Sequence, residues 1–417
     1  MSASPDLTKE QAVAARIDDR LRQLQRLGSG DEERGADRPA FSAADEQAHA
    51  LVAEWMAEAG LEVERDPAGN VWGRREGTEP SEPAVWTGSH LDAVPGGGRF
   101  DGVLGVVAAI EAVRSLSEAA QARRTICVVA FRDEEGWRFN HGYYGSRWVT
   151  GSLEAAVAGM RDAEGVSVAD ARAALGLVAH PPFVDRLRPS AFLELHIEQG
   201  PRLAQADRPV GVVTSIVGMV EASVSFHGQA GHAGTTPMEA RRDPMAALAD
   251  FATGLFARAR SLPDSVATLG TVRVLPGAAN VIPASVTVSV DARAATAGAL
   301  SELLAAIHEG ASAAASRSGC TAEVRLDDSA SPAQMDAAIM DALDAAIRTC
   351  EIEPLRLPSG AGHDAGILAA AGVPTGMLFV RSGAGGVSHT PRESTSREDI
   401  AIATTVLERA LRLLAER

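Results

Sequence analysis

The chain has 417 residues, of which 46% are hydrophobic and 23% are charged, and its formal net charge is −16 at pH 7. This length exceeds what one hydrophobic core usually organises, so two domains are expected, and the composition permits a sizeable core. The negative charge argues against nucleic acids and anionic membranes as partners, because neither would be attracted to it.

The cysteines and the N-terminal residues bear on the cellular compartment. Cys127, Cys320 and Cys350 are odd in number and widely spaced, which is typical of a reducing compartment. The first residues contain no apolar signal segment, and no run approaches the ~18 apolar residues of a membrane span. We therefore expect a cytoplasmic protein.

The N-terminal part of the chain is predicted to have a structural role. Apolar residues at helical spacing predict helices over 11–27 and 43–59, and short apolar runs predict strands over 61–63 and 71–73. Neither helix carries an obvious reactive constellation. The chemistry is therefore expected further along the chain.

A turn then joins a predicted strand over 84–87 to a predicted helix over 103–116, and it holds His90, Asp92 and Asp101. Ligands of open α/β sheets lie beyond the carboxyl ends of strands, so these side chains are placed to bind one. A carboxylate at Asp101 would repel a dinucleotide phosphate but suits a cation. A structural alternative stays open here, in which Asp101 caps the helix and His90 is a satisfied polar residue.

Three further predicted strands end in histidines or paired carboxylates. The first of them is a continuous apolar run, typical of a strand covered on both faces. The strands and their polar endings are 125–131 with Glu134 and Glu135, 191–195 with His196, and 373–380 with His389. Four such endings on one inferred sheet predict a shared crevice.

The middle of the chain, 211–326, has a different order of predicted strands and helices. Its predicted elements are strand 220–226, helix 244–259, strands 268–274 and 284–290, helix 299–314 and strand 322–326. This β-α-β-β-α-β order is the ferredoxin-like arrangement. We expect it to form a second domain inserted into an α/β domain of residues 1–210 and 327–417. A helix over 333–350, a strand over 354–357 and a helix over 397–416 complete the first domain.

The strand endings supply three imidazoles and two carboxylates, from His90, Asp101, Glu135, His196 and His389. Such a set suits two divalent cations about 3.5–4 Å apart, with Asp101 as the natural bridge. The absence of cysteine favours a catalytic over a structural site. Mixed nitrogen and oxygen donors suit zinc or manganese, with cobalt and nickel also open.

Two further carboxylates have predicted catalytic roles. Glu134 is adjacent to Glu135, and one of the pair can bind metal while the other moves protons, so Glu134 is assigned as the general base. Asp92 is suited to accept the ring N–H of His90 and fix its tautomer. The alternatives are a solvated acidic turn for the glutamates and a turn-stabilising role for Asp92.

Three residues of the inserted segment are candidate substrate contacts. Arg293 offers a planar fork that matches a carboxylate, and His232 or Asn280 could stabilise a developing oxyanion. For each residue taken alone, a structural role is an equally good interpretation.

Ordered sequence blocks over nearly the whole chain resemble the hydantoinase/carbamoylase-type metal-dependent amidohydrolases, at 88–92, 97–102, 133–136, 194–201, 231–238, 280–283, 358–365 and 388–389. That family includes N-carbamoyl-L-amino acid hydrolases, β-ureidopropionases and allantoate amidohydrolases, within the aminoacylase and di-zinc exopeptidase superfamily. The resemblance implies a di-metal exopeptidase-like α/β catalytic domain with an inserted ferredoxin-like domain that forms a homodimer.

The resemblance also implies roles for individual residues. One metal would be held by Glu135 and His389, the other by His90 and His196, with Asp101 bridging them and Glu134 as the base. The implied substrate contacts are Gln199, His232, Asn280 and Arg293, together with Gly360 and Ala361 in a loop near the substrate. The role of His363, beside that loop, stays open.

We therefore predict hydrolysis of a linear carbamoyl or ureido C–N bond. The expected substrate is an N-carbamoyl-L-amino acid, which would yield the amino acid, carbon dioxide and ammonia. Allantoate is the alternative, and an aminoacylase or dipeptidase activity is less favoured because exopeptidase relatives tend to carry a carboxylate where this chain has His196. A binding protein with a dead site would be expected to lose the base or a ligand, and this chain retains both.

Overall fold

The computed structural model describes residues 5–28, 33–117, 121–177 and 189–417. The helices are α1 (Pro5–Gln25), α2 (Ala43–Glu58), α3 (Val103–Ser117), α4 (Tyr144–Thr150), α5 (Val168–Ala174), α6 (Arg202–Gln205), α7 (Pro244–Ser261), α8 (Ala297–Arg317), α9 (Ala337–Arg348), α10 (Asp364–Ala370) and α11 (Arg397–Ala415). Short 3₁₀ turns lie at Ala155–Gly159 and Met238–Ala240.

The strands are β1 (Ala36–Arg38), β2 (Glu62–Arg65), β3 (Val71–Arg75), β4 (Ala84–His90), β5 (Ala93–Gly97), β6 (Ile126–Phe131), β7 (Pro189–Ile197), β8 (Val210–Ile216), β9 (Gly218–His227), β10 (Gly231–His232), β11 (Ser265–Leu275), β12 (Val281–Ile282), β13 (Ser285–Ala294), β14 (Thr321–Ala330), β15 (Ala333–Gln334), β16 (Arg356–Ser359) and β17 (Thr375–Val380). Among the described helices, none is long and apolar enough to cross a membrane.

The chain forms two compact units. The first contains the chain up to Thr214 with Gln334–Leu357 and His363–Arg417, and the second contains Ser215–Ala333 with Pro358–Gly362. These limits differ from the expected 211–326. Residues 211–214 stay with the first unit because β8 pairs with β17, whereas β14 continues to Ala330 and extends the second.

A nine-stranded sheet organises the first unit. Its order is β15-β8-β17-β7-β4-β6-β3-β2, and β16 pairs with β8. The central strands β17, β7, β4 and β6 run parallel, so their carboxyl ends share one edge. The expectation of four chemistry-bearing strand ends on one edge is confirmed.

The central strands are buried along their length because both faces of the sheet are covered. Every residue of β4, β6 and β17 is buried, which agrees with their continuous apolar runs. The main core contains residues of α1, α3, α9 and α11, and α11 contacts α1, α3 and α9. Burial of each large aliphatic side chain contributes roughly 1.5–3 kcal/mol.

The segment between β4 and α3 contains a strand, β5, that the sequence does not predict. Strand β4 extends through His90 and is followed by β5, which pairs antiparallel with β1. Gly88 has φ +152°, and a Cβ at this position would lie 1.9 Å from the carbonyl oxygen of Val129 on β6. Helix α3 begins at Val103, and the carboxylate of Asp101 faces the histidines.

The second unit has the β-α-β-β-α-β order that the sequence predicts. Its four-stranded antiparallel sheet has the order β11-β13-β9-β14. Alternate residues of β9 and β13 are buried and pack with apolar residues of α7 and α8 in one core. A separate two-stranded ladder, β10 with β12, carries the predicted substrate contact His232, and Asn280 directly precedes β12.

Candidate metal centre

The first cluster at the sheet edge joins two histidines to one carboxylate. Nε2 of His196 lies 3.0 Å from Oδ1 of Asp101, and Nε2 of His90 lies 3.8 Å from the same oxygen. The potential ligand atoms of the three residues all lie within 4.8 Å of one another. The three residues are at most 5% exposed, so water has little access to them.

The second cluster uses the other oxygen of Asp101. Nε2 of His389 lies 3.2 Å from Oδ2 of Asp101 and 3.5 Å from Oε2 of Glu135. These three residues again offer ligand atoms within 4.8 Å of one another. This cluster is the more open one, since the side chain of His389 is 49% exposed. Asp101 thus presents one oxygen to each cluster.

The spacing and chemistry of these donors fit divalent cations. Ligands bound at ~2.0–2.2 Å around a tetrahedral ion are roughly 3.3–3.6 Å apart, and the contacts at Asp101 and Glu135 range from 3.0 to 3.8 Å. Imidazole and carboxylate donors suit zinc and manganese. The structure therefore brings all five predicted ligands together in an arrangement that could hold metal.

Backbone carbonyls orient the two buried imidazoles. Nδ1 of His196 lies 2.9 Å from the carbonyl oxygen of Ile197, and Nδ1 of His90 lies 3.2 Å from that of Asp92. A carbonyl only accepts, so in the neutral rings Nδ1 carries the proton and Nε2 keeps its lone pair. Nε2 is the atom that faces Asp101 in both histidines, as metal binding requires.

The carboxylates of the site have strongly shifted pKa values. Burial raises the pKa of Glu135 to about 7, and the nearby charge of Asp101 adds to the rise. Burial also raises the pKa of Glu134 well above its usual value, although His90 opposes the rise. For Asp101 burial has the same tendency, but hydrogen bonds from two histidines outweigh it and hold the pKa well below its usual range. Carboxylates close together in a buried space repel one another, and this favours binding of a cation.

Asp92 contacts the main chain of the two glutamates as well as lying near the ring of His90. Its carboxylate accepts the main-chain N–H groups of Glu134 and Glu135, both at 3.1 Å. The ring Nδ1 of His90 lies 3.5 Å from Oδ1 of Asp92, farther than from the main-chain oxygen. Asp92 thus positions the loop that carries both glutamates. That loop begins at Asp133, which has φ +56°.

Glu134 lies beside the first cluster and Glu135 beside the second. Oε2 of Glu134 is 3.7 Å from Nε2 of His90, whereas Oε2 of Glu135 faces His389. Glu134 is 8% exposed. The adjacent glutamates therefore face different clusters.

Gln199, a predicted substrate contact, forms a hydrogen bond with Asp101, the candidate ligand shared by the two clusters. Its Nε2 donates to Oδ2 of Asp101 at 2.8 Å and lies 3.2 Å from Oγ of Ser388. Its backbone is left-handed, with φ +55°. The amide is therefore fixed on the side of Asp101 that faces His389.

The other predicted substrate contacts belong to the second unit. His232 on β10 is opposite Val281 on β12, and the main-chain N–H of Ala233 donates to the carbonyl of Asn280 at 3.0 Å. His232 and Asn280 are therefore neighbours, and both are exposed. The main-chain N–H of Gly234 donates to Nδ1 of His232 at 3.1 Å, which leaves the proton of the neutral ring on Nε2.

Arg293 is held by groups of its own unit. Its Nε and one terminal nitrogen each lie 2.9 Å from the carboxylate of Asp291. The other terminal nitrogen lies 3.3 Å from the carbonyl of Gly360, and the neighbouring Ala361 donates its N–H to Oγ of Ser359 at 3.2 Å. Arg293 is thus connected to the Gly360 and Ala361 loop.

The structure also reveals site residues to which the sequence analysis gave no role. Glu393 is buried and accepts the main-chain N–H of Asp101 at 3.0 Å. Glu194, fully buried, accepts from Oγ of Ser89 at 2.6 Å. The buried ring of His363 lies 4.4 Å from that of His196, centroid to centroid. No spacing rule identifies these contacts, because each joins segments far apart in sequence.

Comparisons with known proteins give independent information. The chain is 41% identical over 391 residues to the N-carbamoyl-L-amino acid amidohydrolase of Geobacillus stearothermophilus, covering 92% of this chain and 94% of that protein. It is 36% identical over 367 residues to the allantoate amidohydrolase of Escherichia coli, covering 86% of this chain and 88% of that protein. Among solved structures, a hydantoinase/carbamoylase family amidase from Burkholderia multivorans matches with a TM-score of 0.91 and 31% identity, covering 97% and 98% of the two chains.

The sequence model of the peptidase family M20/M25/M40 matches residues 86–413, a range that includes all five candidate metal ligands and Glu134. This family is metal-dependent, in agreement with the two donor clusters. By the extent of that match and by its likeness to the carbamoyl and allantoate amidohydrolases, the chain belongs to peptidase family M20/M25/M40.

Proposed function

We propose that this protein hydrolyses the carbamoyl C–N bonds of N-carbamoyl-L-amino acids, with water as the second reactant and the amino acid, carbon dioxide and ammonia as products. The observation that carries the proposal is Asp101, shared between two donor clusters, with Glu134 3.7 Å from His90 of the first. Relatives named as N-carbamoyl-L-amino acid amidohydrolases, at 36% to 41% identity, indicate the substrate class.

The proposed cofactor is a pair of divalent ions, zinc or manganese, with cobalt or nickel as further candidates. His90, His196 and Asp101 would hold one ion, and Glu135, His389 and Asp101 the other. The two clusters of ligand atoms support this assignment. Bound divalent ions supply Lewis acidity, which polarises the ureido carbonyl and makes water a better nucleophile.

The protein's own groups would handle the protons. Glu134 takes a proton from the attacking water and passes it to the nitrogen that leaves, which breaks one C–N bond of the ureido group. The carbamate that remains loses carbon dioxide, which breaks the second C–N bond and releases the other amine. A pKa raised by burial suits this role, because it makes the carboxylate a better proton acceptor. Asp92 holds the backbone of Glu134 and so keeps the base in position.

Substrate recognition would use Gln199 and residues of the second unit. Arg293 is proposed to bind the substrate carboxylate, with Asp291 orienting its guanidinium group. His232 and Asn280 are proposed to stabilise the oxyanion that develops on the ureido carbonyl. Gly360 and Ala361 are proposed as further substrate contacts, and Gly360 lies beside Arg293.

We also infer a homodimer formed through the second unit. Strand β11 is an edge strand of its sheet, and it exposes Val266, Val272 and Leu275 at 57%, 51% and 46%. An exposed apolar edge strand can pair with another chain.

We also propose a cytoplasmic location. The free cysteines Cys127, Cys320 and Cys350 favour a reducing compartment.

Allantoate is a second candidate substrate. It presents a ureido group and a carboxylate, as N-carbamoyl amino acids do, so Arg293 does not distinguish them. Allantoate amidohydrolases of Escherichia coli and Bacillus subtilis, at 36% and 38% identity, favour this alternative. The shape of the pocket around the substituent would decide between the two.

A substrate panel tests the proposal. Protein reconstituted with zinc, manganese, cobalt or nickel would be assayed for ammonia release from N-carbamoyl-L- and D-amino acids and allantoate, and for hydrolysis of N-acyl amino acids and dipeptides. We expect the highest kcat/KM with an N-carbamoyl-L-amino acid. Faster hydrolysis of allantoate would select the alternative, and faster hydrolysis of dipeptides would overturn both.

A further inference from the structure

The loop between β17 and α11 carries His389 and is anchored by a glutamate that the proposed mechanism does not use. Glu393 is 5% exposed, whereas all the residues over 383–392 are half-buried or exposed. His389 itself has left-handed backbone, with φ +56°. The contacts of Glu393 therefore bear on the position of this ligand.

Glu393 connects the two loops that supply Asp101 and His389. Its Oε1 accepts the main-chain N–H groups of Phe100 and Asp101, at 2.8 and 3.0 Å. Its Oε2 accepts from Oγ of Ser388, the residue before His389, at 2.8 Å. One carboxylate thus fixes the backbone of one ligand and the immediate neighbour of another.

Ser388 extends this connection to the second cluster. Its Oγ lies 3.1 Å from Oδ2 of Asp101 and 3.2 Å from Nε2 of Gln199. The shorter of the two carboxylate contacts of Ser388 favours donation of its hydroxyl proton to Glu393. The amide of Gln199 can then donate to the oxygen of Ser388. The resulting chain of hydrogen bonds ends on the oxygen of Asp101 that faces His389.

Gly98 provides the space for this contact. A Cβ at Gly98 would lie 2.2 Å from the carboxyl carbon and from Oε1 of Glu393. Because Glu393 is buried and holds three donors, it could not move aside without losing them. A side chain at position 98 would therefore displace the carboxylate.

The two clusters differ in their need for such support. His90 is the last residue of β4 and His196 the last but one of β7, and both strands are paired with neighbours and fully buried near these ends. His389 lies on the exposed loop that Glu393 anchors. Loss of Glu393 should thus disturb the second cluster more than the first.

We infer that Glu393 is a positioning residue: by joining the Asp101 loop to Ser388, it sets the affinity of the ion held by Asp101, Glu135 and His389, with a smaller effect on the ion held by His90, Asp101 and His196. The inference rests on the two-ion assignment proposed above. Partners of this kind, which orient metal ligands, typically change metal affinity by about 10- to 100-fold.

The test is a metal titration of the stripped full-length protein. Zn²⁺ alone, and Mn²⁺ alone, would be titrated calorimetrically into wild type and Glu393→Gln, with the bound metal counted by elemental analysis. Glutamine keeps the size of the side chain but turns an amide toward Ser388. We expect two ions in wild type, with one Kd raised about 10- to 100-fold and the other changed less than about 3-fold in the variant.

Two further variants control the experiment. Glu398→Gln removes an exposed carboxylate from the first turn of α11 and should leave both Kd values as in wild type. Gly98→Ala should weaken the same ion as Glu393→Gln, since it displaces the same carboxylate. Circular dichroism would check that each variant is folded.

The outcomes separate this inference from the proposed function. If wild type binds two ions and Glu393→Gln leaves both Kd values unchanged, or weakens both equally, the positioning role is overturned while the two-ion site stands. If wild type binds fewer than two ions, the two-ion assignment fails, and this inference fails with it.

Discussion

Oδ2 of Asp101 lies 3.2 Å from Nε2 of His389, although the two residues are far apart in sequence. This contact joins the turn between β5 and α3 to the loop after β17. It closes the second donor cluster, and it makes Asp101 common to both clusters. Experiments on the metal sites can therefore distinguish residues of one cluster from the residue they share.

Replacement of Glu134 should abolish turnover without loss of metal. Glu134→Gln keeps the size of the side chain but cannot accept the proton of water, and general bases typically contribute about 10²- to 10⁴-fold to the rate. We expect kcat to fall by at least about 10²-fold while the metal content stays near wild type. Comparable activity in the variant would mean that another group is the base.

Replacement of His389 should remove one ion, and replacement of Asp101 should remove both. His389 belongs to the second cluster only, whereas Asp101 belongs to each. Elemental analysis of His389→Ala should therefore give about half the wild-type metal, and Asp101→Ala should give close to none. Unchanged metal content in His389→Ala would contradict its assignment as a ligand.

Metal affinity should rise with pH. The pKa of Glu135 is raised to about 7 by burial, and the hydrogen bond to Asp101 raises that of His389 to about 9. Both groups are then protonated at pH 6 in the metal-free protein, so an ion must displace their protons. We expect tighter binding at pH 8 than at pH 6, and proton release in calorimetry across buffers of different ionisation enthalpy. Affinity that does not change with pH would contradict this.

Loss of a buried ion pair behind the site should destabilise the first unit. Nη1 of Arg132 donates to Oδ2 of Asp45 at 2.6 Å, and both side chains are fully buried. Burial would raise the pKa of Asp45, but Arg132 and His49 outweigh it and hold that pKa well below its usual value. Asp45→Ala leaves Arg132 without its buried carboxylate partner and should cost about 3–5 kcal/mol in urea unfolding.

A surface pair of the second unit provides the control for Asp45→Ala. Glu302 pairs with Arg258, and both side chains are more than 40% exposed. Glu302→Ala should cost less than about 1 kcal/mol, because exposed ion pairs contribute little. A loss of similar size in the two variants would show that burial does not decide the effect.

A charge on β11 should separate the proposed dimer. Val272 is 51% exposed on this edge strand, and lysine on an edge strand disfavours pairing with another chain. Sedimentation of Val272→Lys should give a monomer where wild type gives a dimer. Leu413→Lys, on α11 of the first unit and 42% exposed, should leave the dimer intact. A dimeric Val272→Lys would place the interface elsewhere.

The sequence by itself determined the central sheet and the candidate ligands. Continuous apolar runs identify β4, β6 and β17 as buried strands, because only strands covered on both faces tolerate such runs. Carboxyl ends of parallel strands share an edge, and so His90, Glu135 and His196 could be expected to meet. Both arguments use short stretches of sequence and a general rule of α/β sheets.

The tertiary structure alone decided how these residues are supported. Glu393 reaches Asp101 and Ser388, and Asp92 binds the main chain at Glu134, through contacts that no local pattern encodes. The assignment of Pro358–Gly362 to the second unit likewise depends on the packed chain. The physical reason is that hydrogen bonds between distant segments depend on the path of the loops, and left-handed residues such as His389 set that path without a periodic signal.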